Sequence, residues 1–567
     1  MKKQIAVSLL LMMLASWAFS QQASTLFQSK YHMLDSSELY TPLIKSKAFT
    51  PTAPPPAPVR SVAEWEPTEA VLVAYPGSFG IPYSLIAEMS QDCKVITIVE
   101  SSSQQTSVTN SYNSNGVNIA NCLFYIGPLE SYWIRDFGPW FIVNGNNKVA
   151  IVDFPYNRSN RPNDDNIPVL MASYLNVPLY GMDVTHTGGN YMSDGLGAAA
   201  STTLVLDENS SLTQSDIDTL VKNFLGITNY HITADPLGEY IMHIDCWGKF
   251  LDVDKILIAQ VPVSNSQYSA YEAVATYWQN EISSYGNNYQ VYRVYEDNGQ
   301  PYTNSFILNN KVLIPFASGS TSQNNAAKAV YQQAMPGYEV IGFSQLSSAP
   351  WEATDAMHCR VHEVADRNML YISHYPLLGE KPLLSQYLIT ATITSLSNST
   401  IIADSVWFRY KVNNGSWQQV SMNHTTGNTW QGYISQVSAG DTIRYYIHAS
   451  DQYPKSVTHP LIGAPDPHKF WIAEGANIST TVSEKEKTLV FPNPANKELF
   501  VVLRHQPEAK GFVKISNNLG NTVRQINLSD YPNQFIKLDV SGLDAGSYFV
   551  SVQTDEKVTT SKIIIMH

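Results

Sequence analysis

From about residue 64, the hydrophobic positions of the chain follow two alternating patterns. Short continuous apolar runs are typical of buried strands, and longer segments with apolar residues three or four apart are typical of helices. The predicted strands are 69–76, 94–100, 148–154, 255–262, 305–316 and 369–375, and the predicted helices are 84–92, 215–226, 269–282 and 324–335. Because strands alternate with helices, we assign residues 61–380 to one large α/β domain.

Beyond about residue 383, apolar positions alternate with polar ones, and turn dipeptides such as Asn-Gly separate the segments. A period of two predicts short, half-buried strands. We therefore expect an all-β immunoglobulin-like sandwich over residues 381–474. Residues 475–487 are polar and predict a linker, and strand patterns return in a small C-terminal β domain over residues 488–567.

The amino terminus has the pattern of an export signal. Two lysines, an apolar run and the small-residue end Ala18-Phe19-Ser20 predict a secretory signal peptide over residues 1–20. Residues 21–60 end in a proline-rich stretch, which predicts a pro-segment or stiff linker. No later run is apolar for long enough to predict a transmembrane segment. The mature protein is therefore expected outside the cytoplasm.

Charge and cysteine content narrow the function. The net charge of −13 argues against nucleic acid as a partner. The chain has only four cysteines, too few for a disulfide-stapled scaffold. Cys93 and Cys122 could pair with each other, whereas Cys246 and Cys359 lie in polar, motif-like surroundings. One cysteine is therefore a candidate for chemistry.

The stretch TDAMHCRVHEV, residues 354–364, leaves three roles open for Cys359: metal ligand, half of a disulfide, or nucleophile. His243 and Asp245 are two residues apart, so on an extended strand both would point to one face. Asn304 directly precedes a predicted buried strand, and paired glycines at 188–189 permit close approach of the backbone. These residues come from four further polar stretches: SYWIRDFGPW (131–140), THTGGNYMSDG (185–195), GEYIMHIDCWGKF (238–250) and QPYTNSF (300–306).

A pocket built from these side chains suits a cationic substrate. Two carboxylates, Asp136 and Asp245, repel each other unless a cation lies between them. A guanidinium is planar and carries five donors, so carboxylates bind it well. A neighbouring cation also lowers the pKa of a thiol, which would make Cys359 a thiolate that attacks the guanidinium carbon. His243 could then protonate departing ammonia and activate water.

The motifs W-x-R-D-x-G-P (133–139), GGN (188–190), H-x-D (243–245), Asn-Ser (304–305) and His-Cys (358–359) occur in an order that resembles the Porphyromonas-type peptidylarginine deiminases, relatives of the agmatine deiminases. The resemblance covers residues from about 55 to about 470. It implies a pentein fold, an α/β propeller with pseudo-fivefold symmetry around the active site. It also implies conversion of peptidyl-arginine to peptidyl-citrulline and ammonia, with no cofactor and no metal.

Carried onto this sequence, the resemblance assigns a role to each motif residue. Cys359 becomes the nucleophile and His243 the general acid and base. Asp136 and Asp245 become the carboxylates that bind the guanidinium, and Asn304 a supporting catalytic residue. Trp133 and Tyr240 are expected to line the channel for the substrate side chain.

Two arginines raise the question of C-terminal arginine as the preferred substrate. The family member with that preference holds the substrate carboxylate with two arginines separated by one residue. Here Arg158 and Arg161 are separated by two residues. The extra residue moves one guanidinium by up to about 3.5 Å in an extended loop. The alternative is a solvated loop in which Asp164 and Asp165 pair with the arginines.

The C-terminal β domain resembles the sorting domain of the type IX secretion system of Bacteroidota. The matching features are FPNPA at 491–495, LDVSGLDAGSYFVSV at 538–552 and a lysine-containing apolar end at 562–566. With the signal peptide, the resemblance implies passage through the periplasm to the cell surface or medium of a Gram-negative bacterium. The type IX secretion machinery and arginine-containing peptides or proteins are then the expected partners.

Other functions fit the residues less well. A zinc site would use Cys359 with neighbouring histidines, but the usual second ligand pair is missing. A Cys/His peptidase would not need two carboxylates in the pocket, and a non-catalytic surface binding protein would not need the polar motifs. Deimination of agmatine or free arginine is the main alternative. We read His358 and His362 as packing or hydrogen-bonding residues, Arg360 as structural and Cys246 as buried and inert.

Overall fold

The computed structural model describes residues 49–158, 160–239, 241–297, 299–474, 489–502, 511–517, 521–528, 535–554 and 558–566. Contacts divide the chain after Glu474 into two compact units. The predicted signal peptide, the predicted linker 475–487 and Tyr240 lie outside the described residues.

The first part of the larger unit contains five separate small sheets, and their strands are connected in the same way. In each, an antiparallel pair of strands is followed by a helix and by a strand parallel to the second of the pair. The sheets comprise Arg60–Ser61, Trp140–Val143, Val149–Asp153 and Leu179–Gly181; Met192–Ser193, Ala198–Thr202 and Asn229–Thr233; Gly248–Asp252, Lys255–Gln260 and Gln290–Tyr295; Phe306–Leu308, Lys311–Phe316 and Glu339–Ser344; and His362–Ala365, Thr68–Tyr75, Lys94–Val99 and Cys122–Ile126. The α/β prediction is therefore confirmed.

The last of these sheets joins the two ends of the α/β region. Its strand His362–Ala365 pairs antiparallel with Thr68–Tyr75, with His362 opposite Leu72. This long-range pairing brings the chain around Glu64 next to the chain around Cys359.

Helices cover the sheets, and the four predicted ones are present. Gln214–Leu225 shows why: Thr213 and Asp216 form a reciprocal capping box, and Gly226 ends the helix with a φ of 73°. Two other helices of more than two turns, Ser102–Ser114 and Ile167–Leu175, were not predicted, because the first is mostly polar and the second mostly apolar. In the described residues the α-helices are Tyr83–Asp92, Ser102–Ser114, Ile134–Phe137, Pro162–Asp165, Ile167–Leu175, Leu204–Asp207, Gln214–Leu225, Tyr268–Asn280 and Thr321–Ala334.

The second part of the larger unit is an all-β sandwich. One sheet contains Leu370–Ser373, Gln386–Ser395, Thr429–Ser435 and Asn423–His424, and the other Gly379–Lys381, His468–Ile472, Thr442–Ser450, Trp407–Val412, Gln418–Ser421 and Ser456–His459. Leu370–Ser373 was predicted to belong to the α/β domain, but it pairs with Gln386–Ser395 of the sandwich. Its apolar run is the same in either setting, so the pattern alone does not assign the sheet.

The smaller unit is also all-β. Its strands are Leu489–Phe491, Glu498–Val502 and Phe535–Asp539 in one sheet, and Thr522–Asn527, Gly511–Asn517, Gly546–Thr554 and Val558–Ile565 in another. Alternate residues such as Val513, Ile515 and Val550 are buried in a shared core.

All four cysteines are free, so the suggested Cys93–Cys122 pair does not form. Within the described ranges, none of the helices is long and apolar enough to cross a membrane.

Candidate active site

The predicted catalytic residues and the GGN motif come from one topological position that recurs in the five sheets. Each lies in the turn immediately before the antiparallel strand pair of its sheet. Short helical turns form most of these segments. The turns are Ile134–Phe137, Gly188–Asn190, Ile244–Cys246 and His358–Arg360, and Asn304 precedes Phe306–Leu308 in the same way.

Asp245 lies on the 3-10 turn Ile244–Cys246 and His243 is its N-cap, so the two residues are not on one extended strand. Met242, just before the turn, has a φ of 50°, which is rare for a residue with a side chain. The side-chain oxygen of Asn190 accepts hydrogen bonds from the backbone nitrogens of Ile244 (3.3 Å) and Thr202 (2.9 Å). The asparagine of the GGN motif therefore fixes the H-x-D turn.

Cys359 is fully buried, and its sulfur contacts two of the predicted residues. The Nδ2 of Asn304 lies 3.3 Å from the Sγ of Cys359, and the Oδ2 of Asp245 lies 3.8 Å from it. The Oδ1 of Asn304 also accepts hydrogen bonds from the backbone nitrogens of His358 (2.9 Å) and Cys359 (3.4 Å). Asn304 thus holds the cysteine turn in place.

Gly189 marks the point at which the other polar groups meet. A Cβ atom on Gly189 would lie 2.5 Å from the Nδ1 of His243, 2.9 Å from the Oδ1 of Asp136 and 3.3 Å from the Oδ1 of Asp245. His243 Nδ1 and Asp136 Oδ1 are 3.6 Å apart. Only glycine leaves room for three side chains here, which agrees with the expected close approach of the backbone.

The two carboxylates have opposite electrostatic environments. Burial, reinforced by the charge of Asp245, raises the pKa of Asp136 to about 8. Burial alone would also raise the pKa of Asp245, but the hydrogen bond and charge of His358 outweigh it, so this pKa is below its ordinary value. The free site therefore holds one ionised and one protonated carboxyl group at neutral pH.

Burial and the charge of Asp245 together raise the pKa of the Cys359 thiol well above its ordinary value. The thiol is therefore protonated in the free protein. A cation placed between Asp136 and Asp245 would reverse this effect, because it favours the thiolate electrostatically.

Glu64 is a site residue that the sequence did not reveal. Its Oε2 lies 2.7 Å from the Nε2 of His358, and the Nδ1 of His358 lies 2.7 Å from the Oδ2 of Asp245. Glu64 also pairs with the buried Lys249 at 2.7 Å. His358, which we read as a packing or hydrogen-bonding residue, therefore bridges two carboxylates. The acidic sequence AEWEP at 63–67, just before a buried strand, was the available signal.

Two buried ion pairs hold the turn that carries Cys359. Arg135 donates to both carboxylate oxygens of Glu363 (2.7 and 3.3 Å) and to the carbonyl of His358 (3.3 Å). Arg360 donates to both carboxylate oxygens of Asp355 (2.8 and 2.5 Å). This geometry fits the structural role expected for Arg360.

Arg158 and Arg161 are buried, unlike the arginines of a solvated loop. The guanidinium of Arg161 lies 5.1 Å from the ring centroid of Trp133, which is itself buried. Both arginines act electrostatically to lower the pKa of Asp136, although burial dominates. The structure therefore places Trp133, Arg158 and Arg161 on the Asp136 side of the site.

Cys246 is buried, and its sulfur lies 3.6 Å from the Oδ1 of Asp245. Burial raises its pKa well above the ordinary value. Among the residues that the structure describes, no cluster of three or more His, Cys, Asp or Glu side chains could hold a metal ion.

Comparison with known proteins identifies the class. A model of the Porphyromonas-type peptidyl-arginine deiminases matches residues 60–364, just over half of the chain. A protein of Legionella pneumophila (strain Paris) named as an agmatine deiminase is 23% identical over 331 residues, covering 52% of this chain and 92% of that protein. One from Yersinia pestis is 22% identical over 254 residues, covering 38% and 69%. The protein is thus a deiminase, a hydrolase that acts on a guanidino C–N bond. The chain belongs to the Porphyromonas-type peptidyl-arginine deiminase family.

Solved structures with similar chains carry related names. A structure described as an arginine deiminase from Porphyromonas gingivalis has a TM-score of 0.47 at 18% identity, covering 54% of this chain and 98% of that one. An agmatine deiminase of Enterococcus faecalis has a TM-score of 0.48 at 18% identity, covering 55% and 96%.

Two further family models match the remaining chain. A secretion-system C-terminal sorting domain matches residues 489–566, which assigns the protein to type IX secretion and to the medium or the outer-membrane surface of a Bacteroidota-type cell. A carbohydrate-binding module of family 56 matches residues 389–455, within the sandwich.

Proposed function

We propose that this protein converts peptidyl-arginine to peptidyl-citrulline and ammonia, with C-terminal arginine as one candidate substrate. The observation that carries the proposal is the convergence of Asp136, Asp245 and His243 on Gly189, with the Cys359 sulfur beside Asp245. Two buried carboxylates suit a planar cation, and a cysteine beside them suits attack on its central carbon. Export favours a peptide over agmatine or free arginine, because small-amine pathways are usually intracellular.

The proposed reaction has two halves. When the guanidinium binds, the Cys359 thiol gives its proton to His243 and the thiolate attacks the guanidinium carbon. A C–S bond forms, and a C–N bond breaks as His243 gives that proton to the departing ammonia. His243 then takes a proton from water, which attacks the amidino carbon. The C–S bond breaks, citrulline leaves, and the thiolate is restored. Asp136 and Asp245 bind the guanidinium, and Asn304 positions the sulfur.

The substrate class can be tested with four compounds: a peptide ending in arginine, an amidated peptide with internal arginine, agmatine and free arginine. We expect both peptides to yield citrulline and equal amounts of ammonia in the presence of EDTA, with the C-terminal peptide faster. Buried Arg158 and Arg161 beside Trp133 offer cationic partners for a carboxylate near the guanidinium site.

Arg158→Gln and Arg161→Gln separate the parts of this proposal. Each should raise the KM for the C-terminal peptide by about tenfold more than the KM for the internal-arginine peptide, the value of one charge-assisted hydrogen bond, because loss of the charge beside Asp136 affects both peptides alike. Equal wild-type rates for the two peptides would remove the carboxylate role of the arginines. Turnover of agmatine alone would replace the peptide substrate with the alternative, and no turnover of any compound would overturn the deiminase mechanism.

Binding of a guanidinium should strengthen as pH rises. Because the pKa of Asp136 is raised to about 8, the group is protonated below that pH, and binding must displace the proton. As the pH rises toward about 8, the Kd of an arginyl peptide should therefore decrease by nearly tenfold for each pH unit. Above about pH 8 the Kd should become constant. Calorimetry with Cys359→Ala protein measures binding without turnover. In an Asp136→Asn background the slope should vanish, and a wild-type Kd independent of pH would contradict the role of Asp136.

We further propose the finer architecture. The five sheets form a pseudo-fivefold pentein propeller within residues 61–380, except that the strands Leu370–Ser373 and Gly379–Lys381 belong with residues 381–474 to an immunoglobulin-like sandwich. Residues 1–20 are removed as a signal peptide, 21–60 and 475–487 serve as pro-segment and linker, and 488–567 form the sorting domain. The fivefold repetition of one strand connection supports the propeller. Tyr240 is proposed to line the substrate channel with Trp133.

A second function is proposed for the sandwich, namely carbohydrate binding. The match of residues 389–455 to a carbohydrate-binding module supports it. This function is independent of the deiminase site and is developed below.

A further inference from the structure

One face of the sandwich carries an unusual set of side chains. In the sheet that contains Trp407–Val412, Thr442–Ser450 and His468–Ile472, alternate residues such as Phe408, Ile443 and Phe470 point into the core. The intervening residues therefore point outward. They include Arg409, Lys411, Arg444 and Lys469, which together we call the cationic sheet face.

Three of these cations lie side by side across neighbouring strands. Lys411 is in register with Arg444, and Arg444 is in register with Lys469. Like charges directly opposite each other destabilise a sheet. Within the described part of the chain, none of the three forms an ion pair with a carboxylate, although Glu380 lies at the sheet edge opposite Trp471. Asp252, Asp254 and Asp466 line a cavity with Arg444 and Lys469, so the like charges are partly offset in the free protein, and an anionic ligand would offset them further.

Aromatic rings accompany the cations. The Arg409 guanidinium lies 4.9 Å from the Trp407 ring centroid, and the Lys411 ammonium lies 4.8 Å from that of Trp417. Trp471, two residues from Lys469 on the same face, is 42% exposed. Flat rings beside fixed cations suit a ligand with both apolar C–H faces and negative charges, which describes a sugar acid better than a lipid or a peptide.

The charge of the whole protein makes this face distinctive. With a net charge of −13, the rest of the surface disfavours anions. A local row of cations on an acidic protein therefore points to a specific anionic ligand, since the protein as a whole repels polyanions.

We propose that the cationic sheet face binds an anionic polysaccharide. The sugar carboxylates or sulfates contact Lys411, Arg444 and Lys469, and a sugar ring packs on Trp471. This inference rests on the proposed carbohydrate binding by the sandwich and adds the charge class of the ligand and the face that binds it.

The test uses the full chain with polygalacturonate as the acidic probe and its fully methyl-esterified form as the neutral probe of the same sugar. We expect affinity electrophoresis to show binding of polygalacturonate that weakens as NaCl rises from about 20 to about 300 mM, because salt screens exposed charges. The variant K411Q/R444Q/K469Q should bind at least about tenfold more weakly. The variant K148Q/K222Q/K328Q changes the net charge equally on the α/β region and should bind within about twofold of wild type.

Other outcomes overturn the inference at distinct levels. Binding of the esterified form alone would leave carbohydrate binding standing and remove the anionic ligand. Equal binding of poly-L-glutamate would show that the face binds negative charge without recognising a sugar. Equal affinities of the two triple variants for polygalacturonate would show that the cationic sheet face is not the binding site. Loss of all polysaccharide binding with citrulline formation intact would end both sandwich proposals and leave the deiminase proposal untouched.

Discussion

Replacing Cys359 with alanine should lower citrulline formation by about 10⁴-fold or more, because loss of a catalytic nucleophile removes the covalent route altogether. The buried Cys359 sulfur lies beside Asp245 and Asn304, and the proposed chemistry passes through it. Release of citrulline and ammonia from an arginyl peptide measures the effect. Cys359→Ala should still bind the peptide, since the two carboxylates remain.

Cys246→Ala is the matched control. Cys246 is also buried, also free and also close to Asp245, so its substitution makes a similar small cavity next to the same carboxylate. We expect it to keep activity within about threefold of wild type and to lose about 1 kcal/mol of stability. If Cys359→Ala retained more than a few per cent of wild-type activity, or if Cys246→Ala lost activity equally, Cys359 would not be the nucleophile.

The raised pKa of the Cys359 thiol indicates that substrate binds before the thiolate forms. Because burial and Asp245 keep Cys359 protonated, the free protein should react slowly with iodoacetamide at neutral pH. Substrate supplies the cation that favours the thiolate, so binding precedes activation. The acidity of the nucleophile thus depends on the same two carboxylates that recognise the guanidinium.

Local sequence patterns predicted much of the fold for a physical reason. Buried strands such as Lys94–Val99 are continuous apolar runs, and the helix Gln214–Leu225 has both a capping box and an amphipathic period. These signals act within a few residues. Ser102–Ser114 has a capping serine, Ser101, but lacks an amphipathic period, because only Val108 and Tyr112 of that helix are buried.

The candidate site was predictable only where its residues belong to compact motifs. Asp136, His243, Asp245 and Cys359 each stand in such a motif, and the structure places them near one another. The turn conformation of the H-x-D segment could not be predicted, because it depends on Asn190, more than fifty residues earlier.

Glu64 shows why the rest of the site could not be predicted. It contacts His358 across 294 residues of sequence, through a strand pairing that closes the two ends of the α/β region. No local period or spacing encodes that contact. A single acidic residue before a strand reads as an ordinary surface residue until the pairing is known.

Glu64→Gln should lower kcat/KM by about 100-fold, the upper range for loss of a residue that orients a site group through a hydrogen bond. Glutamine has the same size but no charge, so the His358 ring loses its carboxylate partner at Nε2 and orients Asp245 less firmly. Asp245 binds the guanidinium in the proposed mechanism. Calorimetry in a Cys359→Ala background should therefore show weaker binding of an arginyl peptide. If Glu64 had a purely structural role, the affinity for this peptide would be unchanged.

Adding Lys249→Met to Glu64→Gln should restore stability but not activity. This difference separates the positioning role of Glu64 from its contribution to the fold. Glu64→Gln also leaves Lys249 buried without its carboxylate, which should cost about 3 kcal/mol of unfolding free energy. Adding Lys249→Met removes the buried charge and should restore most of that stability in a denaturant titration. Because His358 still lacks its partner, kcat/KM should stay low in the double variant. Recovery of activity together with stability would mean that Glu64 serves only the fold, and the His358 bridge would then have no part in orienting Asp245.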